Sequence, residues 1–468
     1  MSDGNPLGPP VPGWTARPRP PREPIEGRYA RLEPLDPARH GGDLWAAFSA
    51  DDTDRAWTYR LQAPFREKPA LDAWLDEIAA GDDPLYFAYL DKATGRAAGN
   101  GGFMSIQPAG GSIEIGSIMI APPLARSRAG TEALILMVRW CFEAGYRRLE
   151  WTCNALNAPS RAAAARLGFS YELTFRDALV AKGRNGDTAV FAMTDKDWPA
   201  VEAAYDEWLA PGNFDDAGEQ RRRLSALTTP LLRAEAPPPP EAFETSALGQ
   251  PLDRPIDGFA PPARPAKAPM EGRYVRLEPL DPERHAADLF AAYDGADPMW
   301  DYMPCGPFAD LADYRAWIEA DGLGDDPLFF AVVDRADDAA KGVASFLRID
   351  PDHGSIEVGF IAFAPSMQGT RLSTEAMYLM MAEVFALGYR RYEWKCNALN
   401  APSRRAAARL GFVYEGDFAQ AVVTKGRNRD TSWFGLLAAD WPARKAAFEA
   451  WLDPSNFDEA GRQKTPLA

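Results

Sequence analysis

Histidine and cysteine are scarce. The 468 residues hold three of the first (His40, His285, His353) and four of the second (Cys141, Cys153, Cys305, Cys396). Three histidines make a His-ligated metal site or a Ser-His-Asp triad in each half hard to build, so no metal is expected. No two cysteines stand at C-x-x-C spacing and four cannot staple so long a chain, so a disulfide framework is not expected and a reduced, cytoplasmic setting fits. No apolar run reaches the roughly 18 residues of a membrane helix, and the opening MSDGNPLGPPVPGW lacks a basic segment followed by an apolar one. The expectation is a soluble protein that is not exported. Positive charge is also short: 51 Lys and Arg against 67 Asp and Glu give −16. Split at residue 250, the counts are 27 − 34 = −7 and 24 − 33 = −9, so no single tail carries the excess. Both halves repel polyanions, which argues against nucleic acid or an anionic membrane as partner and favours cationic substrates.

What the chain does have is core-forming material, 46% hydrophobic and 11% aromatic residues, which excludes a disordered or fibrous protein. Its length alone suggests about three domains of roughly 150 residues, but an internal repeat overrules that division. EGRYARLEPLDPARH at Glu26 returns as EGRYVRLEPLDPERH at Glu271, and YRRLEWTCNALNAPSRAAAARLGF (146–169) matches 389–412 at 21 of 24 positions. The offset is 245 at first and 243 from Trp57 and Trp300 onward. The proline-rich opening repeats as well, GNPLGPPVPGWTARP answering GQPLDRPIDGFAPPARP, with Trp14 opposite Phe259. A repeated aromatic at a fixed place marks an ordered strap packed on its domain rather than a free tail. The expected organisation is therefore residues 1–232, a linker over 233–248, and residues 249–468.

Within each unit strand-like and helix-like stretches alternate, which predicts an α+β (mixed α/β) fold. In SIEIGSIMI the apolar positions run Ile113, Ile115, then slip phase to Ile118, Ile120; the second copy repeats the slip at Ile356, Val358, Ile361, Phe363. A slip of one in a period-two pattern beside Gly116 or Gly359 predicts a β-bulge that frees backbone N–H groups. A proline-containing loop and a long, all-round apolar helix follow, closed by Gly145 or Gly388. The loops Arg126–Gly130 and Gly369–Ser373 put open amides at that helix's N-terminus, suited to an anion such as pyrophosphate.

These residues resemble the GNAT superfamily of acyl-CoA-dependent N-acetyltransferases, in its RimJ/RimL-like branch. The resemblance rests on E-I-G at Glu114 and E-V-G at Glu357, T-E-A after the loop, and R-x-E before the next strand. N-x-x-S at Asn157–Ser160 and Asn400–Ser403, L-G-F at Leu167 and Leu410, and Tyr-Glu at Tyr171 and Tyr414 complete the set. It spans nearly all of both units and implies two tandem domains, each a bulged, mostly antiparallel sheet flanked by helices. It further implies acetyl-CoA as cosubstrate, held at Arg126, Arg128, Gly130, Thr131 and Asn157 in the first unit. In the second unit the corresponding residues are Gln368, Gly369, Thr370, Arg371, Ser373, Thr374 and Asn400. The superfamily loop reads Gln or Arg, two residues, Gly, one residue, Gly or Ala; the second copy keeps the Gln and the small last residue, and the first copy loses the Gln.

An amine must be neutral to attack a thioester, which at pH 7 costs about 4–5 kcal/mol for a lysine-like nitrogen and about 1.4 kcal/mol for an α-amine. A carboxylate can lower that cost as a base. Glu114 and Glu357 stand on the bulged strand, with Glu150 and Glu393 as alternates, and a structural role for these glutamates fits equally. The resemblance gives Ser160 and Ser403 the role of protonating the departing thiolate; helix capping by the Asn-x-x-Ser pair is the competing role. The expected activity is acetyl transfer to a primary amine, a protein N-terminus or a small cationic amine. The alternative is a non-catalytic acyl-CoA-binding or scaffold protein. Because W-x-Y-M-P-C-G-P-F (300–308) is altered in the first copy, the C-terminal unit is expected to be the more active. The two units are also expected to be able to pair as an intramolecular pseudo-dimer.

Overall fold

The computed structural model describes residues 4–51, 53–216, 218–459 and 461–467. Strands β1 (Ile25–Glu26), β2 (Ala30–Pro34), β3 (Leu85–Asp91), β4 (Arg96–Gln107), β5 (Ser112–Ile120), β6 (Arg148–Asn154), β7 (Ser170–Ala181) and β8 (Arg184–Thr194) form the first sheet. After a short pair, β9 (Glu244–Thr245) and β10 (Pro251–Leu252), the second sheet comprises β11 (Met270–Glu271), β12 (Val275–Pro279), β13 (Leu328–Asp334), β14 (Ala340–Asp350), β15 (Ser355–Phe363), β16 (Arg391–Asn397), β17 (Val413–Thr424) and β18 (Arg427–Leu437). The strand orders are β1-β2-β3-β4-β5-β6-β8-β7 and β11-β12-β13-β14-β15-β16-β18-β17. Every pairing is antiparallel except β5 with β6 and β15 with β16. The α+β class and the two tandem domains thus follow from two separate eight-stranded sheets with flanking helices.

The bulge is where the phase slip puts it. Between Asn100↔Met119 and Gly102↔Gly116 the strand β5 spends one residue more than β4, and the same happens between Val343↔Ala362 and Ser345↔Gly359. Ser117 (φ 52°) and Phe360 (φ 48°) take up the extra residue in the left-handed region, a strained conformation for a side chain as large as phenylalanine. Beyond Glu114↔Glu150 the ladder between β5 and β6 stops while both strands continue, so they splay apart.

Helix α3 of the first unit (here the third, after Pro37–Ser49 and Lys68–Ala80) spans Arg128–Glu143. Twelve of its sixteen residues are buried, so its apolar face is core packing worth roughly 1.5–3 kcal/mol per large side chain. The Ser127 hydroxyl accepts from the Gly130 N–H at its start, and Gly145 (φ 85°) ends it in the left-handed conformation. The T-E-A glutamate anchors it to the sheet: Glu132 accepts backbone N–H bonds from Arg28, Tyr29 and Ala30 at 3.0, 2.5 and 2.6 Å. Glu375 does the same with Arg273, Tyr274 and Val275.

The two sheets meet through β7 and β17 about a pseudo-twofold axis. Arg148, fully buried, donates to Glu150 (2.7 Å), Glu172 (2.6 Å) and across the boundary to the Ala419 carbonyl (2.8 Å). Arg391 repeats this with Glu393, Glu415 and the Arg176 carbonyl (2.9 Å). Phe175, Phe418 and Trp433 pack between them.

The straps are ordered but they cross over. The Asn428 N–H donates to Pro9 O, the Val11 N–H to Gly426 O, and the Tyr302 hydroxyl to Pro6 O (2.8 Å), all on the second unit. Only from Trp14, whose indole donates to Ala109 O (2.8 Å), does this strap lie on its own unit. Reciprocally, Asn185 N–H donates to Arg254 O, Ile256 N–H to Gly183 O and the Tyr59 hydroxyl to Pro251 O (2.8 Å). The expected packing on the strap's own domain is corrected accordingly: each strap's first half closes on the opposite unit. Residues 233–248 run along the first unit, with Arg233 bonded to Ser170 and Asp197.

Candidate active site

Each site is built at the splay, from the bulged strand on one side and its parallel neighbour on the other. In the first unit Glu114 is buried on β5, and two hydroxyls donate to it: Thr152 at 2.6 Å and Ser105 at 3.1 Å. Burial, with the Glu150 charge added, pushes its carboxyl up to about 7, against the smaller opposing effect of those hydroxyl bonds. Among the described residues no cation pairs with it. A carboxyl in that range is half ionised near neutral pH and can accept a proton from an acceptor amine.

The second unit replaces both hydroxyls with cations. Arg348 stands where Ser105 is and lies 2.5 Å from Glu357; Lys395 stands where Thr152 is and lies 3.5 Å from the same carboxylate. Arg348 also reaches Glu393 at 2.6 Å and stacks on Trp433. Burial depresses Lys395, an effect Glu357 only partly offsets. Burial raises Glu393, but Arg391 and Arg348 more than reverse this and its carboxyl is held below the usual range. Glu150 is bonded to Arg148, so both alternates are tied into the inter-unit pairs.

Ser160 and Ser403 sit at the start of the helices Ala158–Arg166 and Ala401–Arg409, each hydroxyl oxygen accepting from an indole N–H, Trp151 (3.0 Å) and Trp394 (3.1 Å). Each hydroxyl also lies in hydrogen-bond contact with a cysteine thiol, Ser160 with Cys153 and Ser403 with Cys396. Asn157 and Asn400 cap the same helices, accepting from the Ser160 and Ser403 amides at 3.2 and 3.0 Å.

The loop before the central helix has the same shape in both units. Arg126 (φ 58°) adopts the conformation that Gly369 (φ 69°) takes in the other copy. At Gly130 a Cβ would lie 2.2 Å from the Leu124 carbonyl oxygen, whereas the second unit carries Ser373 at the same position. Arg128 stacks on Tyr29 (3.8 Å) and Phe214 (4.6 Å), and Arg371 on Tyr274 (4.4 Å) and Phe457 (5.7 Å). The stacking fixes each guanidinium plane and leaves its N–H edge unpaired among the described residues. Thr131 and Thr374 accept from Arg166 and Arg409, Thr370 caps the helix, Ser373 donates to Thr370 O, and Gln368 donates to Phe363 O. The amides of Arg126, Arg128 and Ala129, and of Gly369, Arg371 and Ser373, have no protein partner among the described residues. Open amides beside an oriented guanidinium fit the pyrophosphate of a CoA thioester.

One further side chain distinguishes the first unit. Arg60, where the second has Met303, donates to the Ile118 carbonyl at the bulge, and burial pulls it down to about 10. Sequence reasoning missed the cationic pair at Glu357, although Thr152/Lys395 is one of three differences in the 24-residue repeat block. Among the described residues no cluster of three or more His, Cys, Asp or Glu could hold a metal ion, and no helix is long and apolar enough to cross a membrane.

The family model for the acetyltransferase (GNAT) domain matches residues 31–170 and 275–413. The chain is similar over 177 residues (27% identity, 37% of this chain, 99% of the relative) to the uncharacterized N-acetyltransferase p20 of Bacillus licheniformis. Among solved structures it resembles a GCN5-related N-acetyltransferase from Brucella melitensis, at 47% identity, 46% of this chain, 98% of that chain and TM-score 0.45. A probable GNAT-family acetyltransferase from Chromobacterium violaceum gives 38%, 41%, 97% and 0.40. With two domain matches covering more than half its length, each on its own bulged sheet, the chain belongs to the GNAT acetyltransferase family and is an N-acetyltransferase with two tandem domains.

Proposed function

We propose that this protein transfers the acetyl group of acetyl-CoA to a primary amine by direct attack, and that the first unit carries the working base. The observation behind it is Glu114, buried between two hydroxyls with its carboxyl near 7 beside the splay. Acetyl-CoA supplies an activated carbonyl whose C–S bond breaks as the C–N bond forms. Glu114 takes the proton the nitrogen must lose, directly or through one water. Amides freed at the bulge face the developing oxyanion, and Ser160 gives its proton to the departing sulfur. The Arg126–Gly130 loop and Arg128 hold the pyrophosphate, and Asn157 the pantetheine arm. The acceptor is a protein N-terminus or a small cationic amine, in keeping with the RimJ/RimL-like motifs and the net charge of −16.

The intact W-x-Y-M-P-C-G-P-F loop (300–308) speaks for the C-terminal unit, whereas its base is engaged by Arg348 and Lys395. We therefore assign turnover to the first unit. The second unit, with Gln368 to Ser373, Asn400 and Ser403 retained, is an acyl-CoA-binding partner with weaker or no turnover. Thiol release from acetyl-CoA, followed against a panel of amines with mass spectrometry of the acceptor, tests the reading. Amine-dependent release supports it, and CoA binding with no release from any amine refutes it.

A further inference from the structure

The second unit holds a cavity of ≈ 700 Å³ between the loop 304–308, the helix beginning at Leu311 and the start of β13. Four rings form a continuous wall: Phe308 lies 5.5 Å from Trp317, Trp317 5.6 Å from Phe329, and Phe329 5.2 Å from Phe360. The charged residues in its lining are Asp313 and Asp321, both exposed at the rim. Lys425 lies close by, but its ammonium is spent on three loop carbonyls, Trp300, Cys305 and Gly306 at 2.8, 2.9 and 2.6 Å. Phe360 is the left-handed bulge residue, three positions after Glu357, so the cavity ends where the strand opens.

The duplication supplies an internal control. At the positions 243 residues earlier, Asp313 and Asp321 are Ala70 and Ile78, Phe329 is Tyr86 and Phe360 is Ser117. Neither of these two positions carries a carboxylate in the first unit, although Glu77 stands where the lining residue Ala320 does; a separate small cleft of that unit, ≈ 80 Å³, lies at its bulge and is lined by both Arg60 and Asp51. Aromatic faces attract cations through their quadrupole, and rim carboxylates add to that attraction. A volume of this size accommodates a small organic molecule.

We propose that this cavity binds an organic cation, a protonated amine carried on an apolar body, and that the first unit does not share the site. The site lies in the unit to which weak or no turnover is assigned, so the inference goes beyond the reading above and does not depend on it. Binding is measured by calorimetry on the full chain without acetyl-CoA, using phenethylamine, hexylamine, phenethyl alcohol and phenylacetate. One amine per chain is expected, with the alcohol about tenfold weaker and phenylacetate weaker still. The double variant Asp313→Asn, Asp321→Asn keeps side-chain shape and is expected to lose the same factor for the amines and little for the alcohol. Trp317→Ala is expected to weaken both, and thermal unfolding checks that each variant is folded. Absence of binding by both amines, equal binding of phenylacetate, or an unchanged affinity in the folded double variant overturns the proposal. Since no acetyl transfer is measured, the enzyme reading can fail while this binding persists, and the converse.

Discussion

Glu114→Gln should make the protein more stable and less active. The carboxyl is raised by burial from 4.5 to about 7, a difference of about two and a half units, or about 3 kcal/mol. The folded state holds its proton more tightly than the unfolded chain. Below pH 4.5 both states are protonated and the site costs nothing. Between 4.5 and 7 the unfolded chain ionises first, so stability falls as pH rises, and above 7 the full cost of about 3 kcal/mol is present. Glutamine removes that cost, and the Thr152 and Ser105 hydroxyls can rotate to suit its amide. Urea unfolding of wild type and variant, followed by tryptophan fluorescence, should give a stability gain of about 1 kcal/mol at pH 5.5 and about 3 kcal/mol at pH 8, both above the sequence pI of 4.8. A gain that does not grow with pH, or a loss at pH 8, refutes the burial account of this carboxyl.

Replacing Arg348 with Ser and Lys395 with Thr gives Glu357 the surroundings of Glu114; the second unit should then gain an acetyl-release activity that rises through neutral pH, measured in a Glu114→Gln background. Arg148→Met removes the cation from Glu150 and Glu172 and cuts the bond to Ala419 O; a loss of roughly 3–5 kcal/mol in urea unfolding is expected, because it strands buried carboxylates. Deleting residues 1–12 removes the bonds from Pro6 to Tyr302 and from Pro9 to Asn428; hydrogen exchange should quicken over 297–308 of the second unit and stay unchanged over 54–65 of the first.

Local pattern made much of the fold legible. The shift from Ile113/Ile115 to Ile118/Ile120 located the bulge because side-chain alternation records every inserted residue. Gly145 marked a helix end for backbone reasons that act within a few residues. The strap exchange was not legible: the repeat shows that Trp14 and Phe259 are equivalent, but an offset cannot say on which copy a strap closes. The state of the glutamates was hidden for a related reason. Thr152/Lys395 is visible as a difference, yet its meaning depends on Ser105/Arg348 from another strand, which only the folded sheet brings to the same carboxylate. Glu132 shows the same limit, a motif residue whose three backbone partners lie about a hundred positions away.

The most direct test compares Glu114→Gln with Glu357→Gln in the full chain, by amine-dependent CoA release at saturating acetyl-CoA. Acid–base catalysis by a positioned side chain is worth about 10²–10⁴-fold, so the first variant should lose a factor in that range while the second stays close to wild type. A loss confined to Glu357→Gln, or two equal losses, would contradict the assignment of the working base to the first unit.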